Sequence, residues 1–279
     1  MLLDQTSTAS RRRAFKALHD GPAILVLPNC WDVISARVYE HAGFPAVATS
    51  SAGLANSLGY SDGNALDVDL HLATLERLVR ALDVPLSADV ESGYAPDVRA
   101  LEDFVRRLSE TGVAGYNLED TLYEKDIFPV GVAAERVAAA KSAAPELFLN
   151  ARTDVYLAQI GAPETRFDAT VERLRAFAAG GADGVFVPGV SDAETIRRLA
   201  ASVQLPLNVL ASPTLPDAAA LQRLGVRRVS VGSSAMRRTL GVLREIAHEL
   251  RDSGTFTFTR APSVSYAEAN ALVQDRDGP

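Results

Sequence analysis

The sequence predicts a single (β/α)8 barrel of the TIM type, and three observations carry the prediction. A short apolar run followed by an amphipathic helical stretch recurs eight times along the 279 residues. Most of the runs lack polar alternation, as strands covered on both faces do. No change of composition or low-complexity linker divides the chain, so the repeats read as one closed parallel array. A doubly wound open sheet is the other arrangement this pattern allows.

The strand runs are Ala23–Leu27, Ala46–Thr49, Leu86–Ala88, Gly115–Leu118, Leu147–Asn150, Gly184–Val187, Leu207–Leu210 and Val229–Val231. Between them, Leu66–Leu82 places Leu70, Leu75, Leu78 and Val79 on one side and Glu76, Arg77 and Arg80 on another; Asp97–Thr111 and Pro163–Ala179 follow the same period. Glycines close several of these stretches, as in His41-Ala42-Gly43-Phe44 and Ala179-Gly180-Gly181, where the left-handed conformation ends a helix. A helix over about Thr8–His19 precedes the barrel, which occupies roughly residues 20–250 of the one domain 1–279. A long helix, Ser234–Arg251, follows the last strand. A C-terminal extension over about 255–275 carries a short helix near Ser265–Gln274, and the tail Asp275–Pro279 is expected to fray.

Composition narrows the function. A net charge of −7 argues against nucleic acid and anionic membrane as partners. The single cysteine, Cys30, rules out an intramolecular disulfide and fits a reducing compartment. The N-terminus is polar, with Arg11, Arg12 and Arg13, and no apolar run reaches spanning length, so a cytoplasmic protein is expected.

In such a barrel the active site lies at the C-terminal ends of the strands. There the sequence places Asn29, Cys30, Trp31 and Asp32 after the first strand, Ser50, Ser51, Ala52 and Gly53 and then Asp62 after the second, and Asp89, Glu91, Ser92, Gly93 and Tyr94 after the third. The fourth strand ends in Glu119-Asp120 and the fifth in Asn150-Ala151-Arg152-Thr153-Asp154. The seventh carries Asn208, and the eighth leads into Gly232-Ser233-Ser234. Carboxylates from four strand ends thus converge on one mouth. Gathering like charges in a dry site is costly, and a hard divalent cation, Mg²⁺ or Mn²⁺, removes the cost with an all-oxygen ligand set. Asp89 and Glu91, two apart, would face the same side of a continuing strand. The histidines, His19, His41, His71 and His248, all fall in helical stretches, which speaks against a zinc site and against histidine base catalysis. Asp120 reads as a capping or supporting residue, Asp154 as a group that orients Arg152, and Gly232-Ser233-Ser234 as an ordinary helix start.

Six short motifs, in order and each at a strand end, resemble those of the isocitrate lyase and phosphoenolpyruvate mutase superfamily from about Phe15 to Gly241. They are Thr49-Ser50-Ser51-Ala52-Gly53, Tyr60-Ser61-Asp62-Gly63, Ala88-Asp89-Val90-Glu91-Ser92-Gly93-Tyr94, Asn117-Leu118-Glu119-Asp120, Asn150-Ala151-Arg152-Thr153-Asp154 and Pro206-Leu207-Asn208. The resemblance implies that Asp89 binds Mg²⁺ directly and that Asp62, Glu91 and Glu119 hold it through its waters. It implies that N–H groups around Ser50, Ser51 and Ala52 bind a substrate carboxylate. Arg152 would bind the carboxylate or enolate oxygen, Asn208 the distal end of the substrate, and Trp31 and Asn29 would line the pocket. It also implies a homo-oligomer, a tetramer or a dimer that exchanges a C-terminal helix.

Two departures shape the expected chemistry. The lyases that the chain resembles carry a Lys-Lys/Arg-Cys-Gly-His segment after the fourth strand; here the stretch is Thr121-Leu122-Tyr123-Glu124-Lys125-Asp126-Ile127-Phe128. The mutase-type histidine after the sixth strand is replaced by Phe186-Val187-Pro188-Gly189. Tyr94, Glu124 or water then remains as the proton donor. The expectation is a Mg²⁺-dependent lyase that breaks a C–C bond of a small 2-oxo or 2-hydroxy di- or tricarboxylate and leaves a 2-oxo acid, with Arg152, Glu119 and Tyr94 as catalytic groups. A hydrolase of oxaloacetate or phosphonopyruvate type on the same site, a silent 2-oxo acid binder and a phosphate-binding sugar isomerase are the alternatives.

Overall fold

Pro28 divides the first barrel strand in two, because a proline has no N–H to give to a ladder. In the computed structural model, which describes residues 5–123 and 126–274, β1 (Leu25–Leu27) and β2 (Asn29–Cys30) flank that proline. The other barrel strands are β3 (Val47–Thr49), β4 (Leu86–Asp89), β5 (Gly115–Glu119), β8 (Phe148–Arg152), β9 (Gly184–Val187), β10 (Leu207–Leu210) and β11 (Arg228–Ser230). A small antiparallel hairpin, β6 (Thr121–Tyr123) and β7 (Asp126–Ile127), follows β5. All ladders of the large sheet are parallel, in the order β1-β11-β10-β9-β8-β5-β4-β3-β2. Pairing of Leu25 with Arg228 at one end, and of Asn29 with Ala48 at the other, brings the sheet round on itself, which excludes the open doubly wound arrangement. The Pro28 carbonyl still accepts from Ala48 N at 2.9 Å across the break.

The helices are α1 (Gln5–Asp20), α2 (Val33–His41), α3 (Ser51–Ser57), α4 (Val68–Ala81), α5 (Val98–Glu110), α6 (Val130–Ala143), α7 (Arg166–Ala179), α8 (Ala193–Ser202), α9 (Ala218–Arg223), α10 (Ser234–His248) and α11 (Tyr266–Val273). Asp32, Asp67, Asp97, Asp192 and Asp217 each accept an N–H of the first turn that follows them, so aspartate N-caps start five of the helices. The four histidines lie in α1, α2, α4 and α10, as expected. The long helix expected to Arg251 is α-helical only to His248 and ends in a π turn, Glu249–Ser253. None of the described helices is long and apolar enough to cross a membrane.

Strand alternation separates two cores. Outward residues such as Ala88, Leu118, Ala151, Val185 and Val209 pack against the helix ring. Inward Leu25, Leu27, Ala48 and Phe148 meet Phe15 of α1, which plugs the N-terminal end of the barrel. Phe15 needs Gly115 beside it: a Cβ there would stand 2.6 Å from the Phe148 carbonyl oxygen and 2.9 Å from the Phe15 ring. Above this apolar floor the barrel interior turns polar. Asn150 Nδ2 donates to Asn117 Oδ1 at 2.9 Å, and Arg228 Nη2 donates to the same oxygen at 3.2 Å. Burial pulls the Arg228 guanidinium down to about 9, against the attraction of Asp89.

Candidate active site

The carboxylates meet at the C-terminal ends of β4 and β5. Asp89, the last residue of β4, is nearly buried and takes two bonds on one oxygen: Ser51 N donates to Oδ2 at 3.2 Å and Ser51 Oγ at 3.1 Å. Its other oxygen, Oδ1, is buried with no partner among the described residues. Such an oxygen is costly to leave dry.

Glu91 reaches the same place by a different route from that expected. The strand stops at Asp89, and Glu91 turns into the left-handed region (φ 51°), so strand alternation does not apply to the pair. Gly93 (φ 92°) and Tyr94 (φ 51°) continue the turn. Left-handed backbone at the two non-glycine positions costs about 1–2 kcal/mol each, and a Cβ on Gly93 would collide with Leu101. The turn is held from several sides. Tyr94 Oη donates to Glu91 Oε1 at 2.9 Å, Asn64 N donates to Glu91 Oε2, and Asn64 Nδ2 donates to Ser92 Oγ at 3.1 Å. Burial, with the charges of Asp62 and Asp89, pushes the Glu91 carboxyl up to about 7. Burial first, then the Glu91 carboxylate, push the Tyr94 phenol far up, so it keeps its proton. Asp62 stands at the exposed rim; partial burial and the charge of Asp89 push it up as well.

Arg152 closes the opposite wall. Its Nε and Nη2 donate to Asp154 Oδ1 and Oδ2 at 2.6 and 2.7 Å, and Nη1 lies 2.7 Å from Glu119 Oε2. Burial pulls the guanidinium down, but Glu119 and Asp154 more than offset it and keep the charge fixed. Burial pushes the Glu119 carboxyl up while Arg152 pulls it back. Asp154 orients Arg152 and accepts from Thr121 Oγ1 at 2.9 Å. Behind it, Asp120 accepts from Asp154 N at 3.0 Å and pairs with Arg173 at 3.0 Å, a supporting position.

The other expected site residues make contacts of their own. Asn29 belongs to β2 and is buried in the wall. Its Oδ1 accepts from Val231 N and Gly232 N at 2.8 and 2.9 Å, and its Nδ2 donates to Thr49 O at 2.7 Å, so its amide fastens the closure of the barrel. Asn208 is the second residue of β10, fully buried, in register with Phe186, which pairs in turn with Arg152; its side chain meets Ser230 Oγ at 3.4 Å. Ser50 caps α3 through Gly53 N at 3.2 Å, and the Ser51 N–H is committed to Asp89; Ala52, partly exposed, begins α3 with Ser51. Trp31, half-buried, lines a groove between α2, α4 and α11 on the outside of the barrel. Ser233 precedes α10 without a side-chain cap bond, and Asn29 takes the neighbouring N–H groups that a phosphate would need. Glu124 lies outside the described residues. Asn64, Arg136, Arg173 and Arg228 were not foreseen: an arginine on an amphipathic helix reads as solvated, and no periodicity marks one that turns inward.

The all-oxygen set, with Asp89 Oδ1 buried and without a partner, is chemically suited to a hard divalent cation. Among the described residues no three His, Cys, Asp or Glu side chains converge tightly enough to bind one ion directly. Mg²⁺ keeps several of its waters, so such spacing suits it.

Comparison with known proteins agrees with this fold. A family model described as phosphoenolpyruvate phosphomutase matches residues 15–251. An uncharacterized protein of Mycobacterium tuberculosis is 37% identical over 262 residues, covering 94% of this chain and 96% of the relative. The 2-methylisocitrate lyase of Bacillus subtilis is 30% identical over 211 residues, covering 73% and 68%. A crystal structure from Burkholderia cenocepacia, provisionally described as a lyase/mutase, superposes with a TM-score of 0.90 at 36% identity and covers 98% of this chain and 99% of that one.

Proposed function

Since the chain belongs to the phosphoenolpyruvate phosphomutase family of the isocitrate lyase superfamily, a superfamily of enzymes, we propose that it is a divalent-metal-dependent lyase. Its substrate would be a small 2-oxo or 2-hydroxy di- or tricarboxylate, cleaved at a C–C bond to leave a 2-oxo acid. The observation that carries this reading is the unpartnered, buried Oδ1 of Asp89 at the same strand ends that present Arg152 held by Asp154 and Glu119.

Asp89 would hold Mg²⁺ or Mn²⁺ directly, with Asp62, Glu91 and Glu119 accepting from its waters. When bound, the cation supplies a Lewis acid for the enolate charge that grows as the bond breaks. The chain's own groups do the rest. Arg152 has five N–H donors; Asp154 accepts from two of them, and Glu119 pairs with Nη1. The N–H groups that Asp154 leaves available would donate to an oxyanion from a side chain already held in place, which is electrostatic preorganisation. The clamp also lets a fixed cation sit in a buried site with no rotamer freedom to lose. Glu124, water and Tyr94, whose Oη donates to Glu91, are the proposed sources of the proton that returns to the product carbon. Ser50, Ser51 and Ala52, beside Asp89, would contact a substrate carboxylate through the N–H groups that Asp89 and the Ser50 cap leave available.

The exposed rim from Ser61 to Ala65 gives water a path to the mouth. It supports a second reading on the same residues, hydrolysis of an oxaloacetate or phosphonopyruvate type substrate. Incubation with Mg²⁺ and a panel of isocitrate, methylisocitrate, alkylmalates, oxaloacetate and phosphonopyruvate, followed by proton and phosphorus NMR, separates the two. A 2-oxo acid product that disappears with EDTA supports the lyase. Oxalate with acetate, or inorganic phosphate, supports the hydrolase. Binding of 2-oxo acids without turnover leaves a silent binder.

A homo-oligomer is also part of the proposal. On α10 only Met236 is buried, while Leu240 and Leu243 are 50% and 59% exposed. Phe256, Val264 and Tyr266 extend the apolar surface. The α11 helix docks on α2 of its own chain, where Arg37 Nε donates to Leu272 O at 2.7 Å, so α10 is the helix free to be exchanged. Light scattering should report a dimer or tetramer that Leu240→Glu with Leu243→Glu reduces to a monomer. A wild-type monomer at working concentration refutes this part.

A further inference from the structure

We infer that Arg136 is a positioning residue for the metal site, an inference that rests on the metal-dependent reading above. Arg136 lies on α6, outside the carboxylate ring, and is 3% exposed. Its Nη2 donates to the Ser92 carbonyl at 2.7 Å and to the Ala95 carbonyl at 3.1 Å. Those carbonyls flank Gly93 and Tyr94 in the left-handed turn, and the first belongs to the residue next to Glu91. The guanidinium carbon lies 4.7 Å from the centre of the Phe128 ring, a cation–π contact.

Phe128 leads in turn to the other wall. Its N–H donates to the Asp120 carbonyl at 2.8 Å, and Asp120 N donates to the Arg152 carbonyl at 3.1 Å. The Asp120 carboxylate holds Asp154 N, and Asp154 grips Arg152. One side chain therefore ties the turn bearing Glu91 and Tyr94 to the backbone that carries Arg152. The first side carries Glu91 and the second Glu119 and Arg152, so the tie would hold in place, relative to one another, the two carboxylates proposed to accept from the cation's waters.

Packing does not account for the residue. An apolar side chain would fill the interior between α6 and the turn at lower cost than a guanidinium, which loses its water there. Arg136 Nε is buried without a partner among the described residues, and burial pulls the guanidinium pKa down. What the guanidinium provides is geometric: one planar group that meets two carbonyls at its edge and a ring on its face.

The test is Mn²⁺ affinity, measured by calorimetry on the full chain well below its melting temperature. Arg136→Met should lower the affinity about 10–100-fold, the usual effect of losing a group that orients metal ligands. Arg136→Lys, whose ammonium can reach a carbonyl but cannot stack as a plane, should recover part of it. A role in stability alone would lower the melting temperature and leave Mn²⁺ affinity at the wild-type value; that result in folded Arg136→Met overturns the inference. Should Arg136→Met fail to fold, Arg136→Lys decides: affinity within twofold of wild type overturns it, and a weaker one supports it. A wild-type protein that binds no Mn²⁺ sinks both this inference and the metal-site reading. Binding that the Arg136 variants leave unchanged sinks this inference alone.

Discussion

Arg152→Lys should lower kcat/KM by about 10²–10³-fold on whichever substrate of the panel is turned over, the range found when one preorganised donor to an oxyanion is lost. Lysine keeps the charge but not the fork. Arg152 meets Asp154 through two parallel bonds of 2.6 and 2.7 Å and Glu119 through a third nitrogen at 2.7 Å. An ammonium on a flexible stem meets one carboxylate well and leaves the other short of a donor. Because the lost interaction forms with developing charge, the decrease should fall on kcat more than on KM. Arg152→Met should have a second consequence. It leaves Glu119 and Asp154 buried without a counter-charge, which costs about 3–5 kcal/mol when one partner of a buried pair is removed. Part of that cost disappears by protonation, since burial already pushes Glu119 upward. Its melting temperature should therefore fall at neutral pH and recover partly as the pH is lowered. Steady-state kinetics and thermal melts at two pH values check both statements. Arg152→Lys within threefold of wild-type kcat/KM contradicts the oxyanion role.

Asp89→Asn should abolish metal binding while leaving the barrel intact. The amide keeps the shape and one carbonyl oxygen, which can still accept from Ser51 N and Oγ as Oδ2 does. It removes the anionic charge and puts an NH₂ or a neutral oxygen where Oδ1 now lies without a partner. A hard cation with one direct protein ligand then loses its only anionic bond. The remaining carboxylates, proposed to act through the cation's waters, would not replace it. Activity should fall with metal affinity, by more than 10³-fold.

The fold was legible because its signal repeats. Each apolar run became a strand to within about two residues, and the absence of histidine from the strand ends held in the structure. Asp89, Glu119 and Arg152 were legible at the site for the same reason, each being the last residue of its strand. Depth was not legible. Asn29 and Asn208 also sit on strands near the mouth in sequence, but which way and how far down they point depends on the break at Pro28 and on the barrel's stagger. Glu91 shows a second limit. The sequence suggests a continuing strand, whereas the backbone turns left-handed at once and is held there by Asn64 from one side and Arg136 from another. Those contacts link residues 27 and more positions apart, so no local pattern announces them. Arg228 illustrates the same point inside the barrel, where a strand arginine next to Arg227 looks solvated yet is fully buried against Asn117.

Calorimetric titration of Mn²⁺ into EDTA-treated, dialysed wild-type protein and into Asp89→Asn decides whether Asp89 carries a metal. One site per chain is expected in the wild type, weakened more than about 100-fold in Asp89→Asn, beyond the loss expected for any supporting group. Equal affinity in the two proteins, or no binding to the wild type, would contradict the metal-site reading.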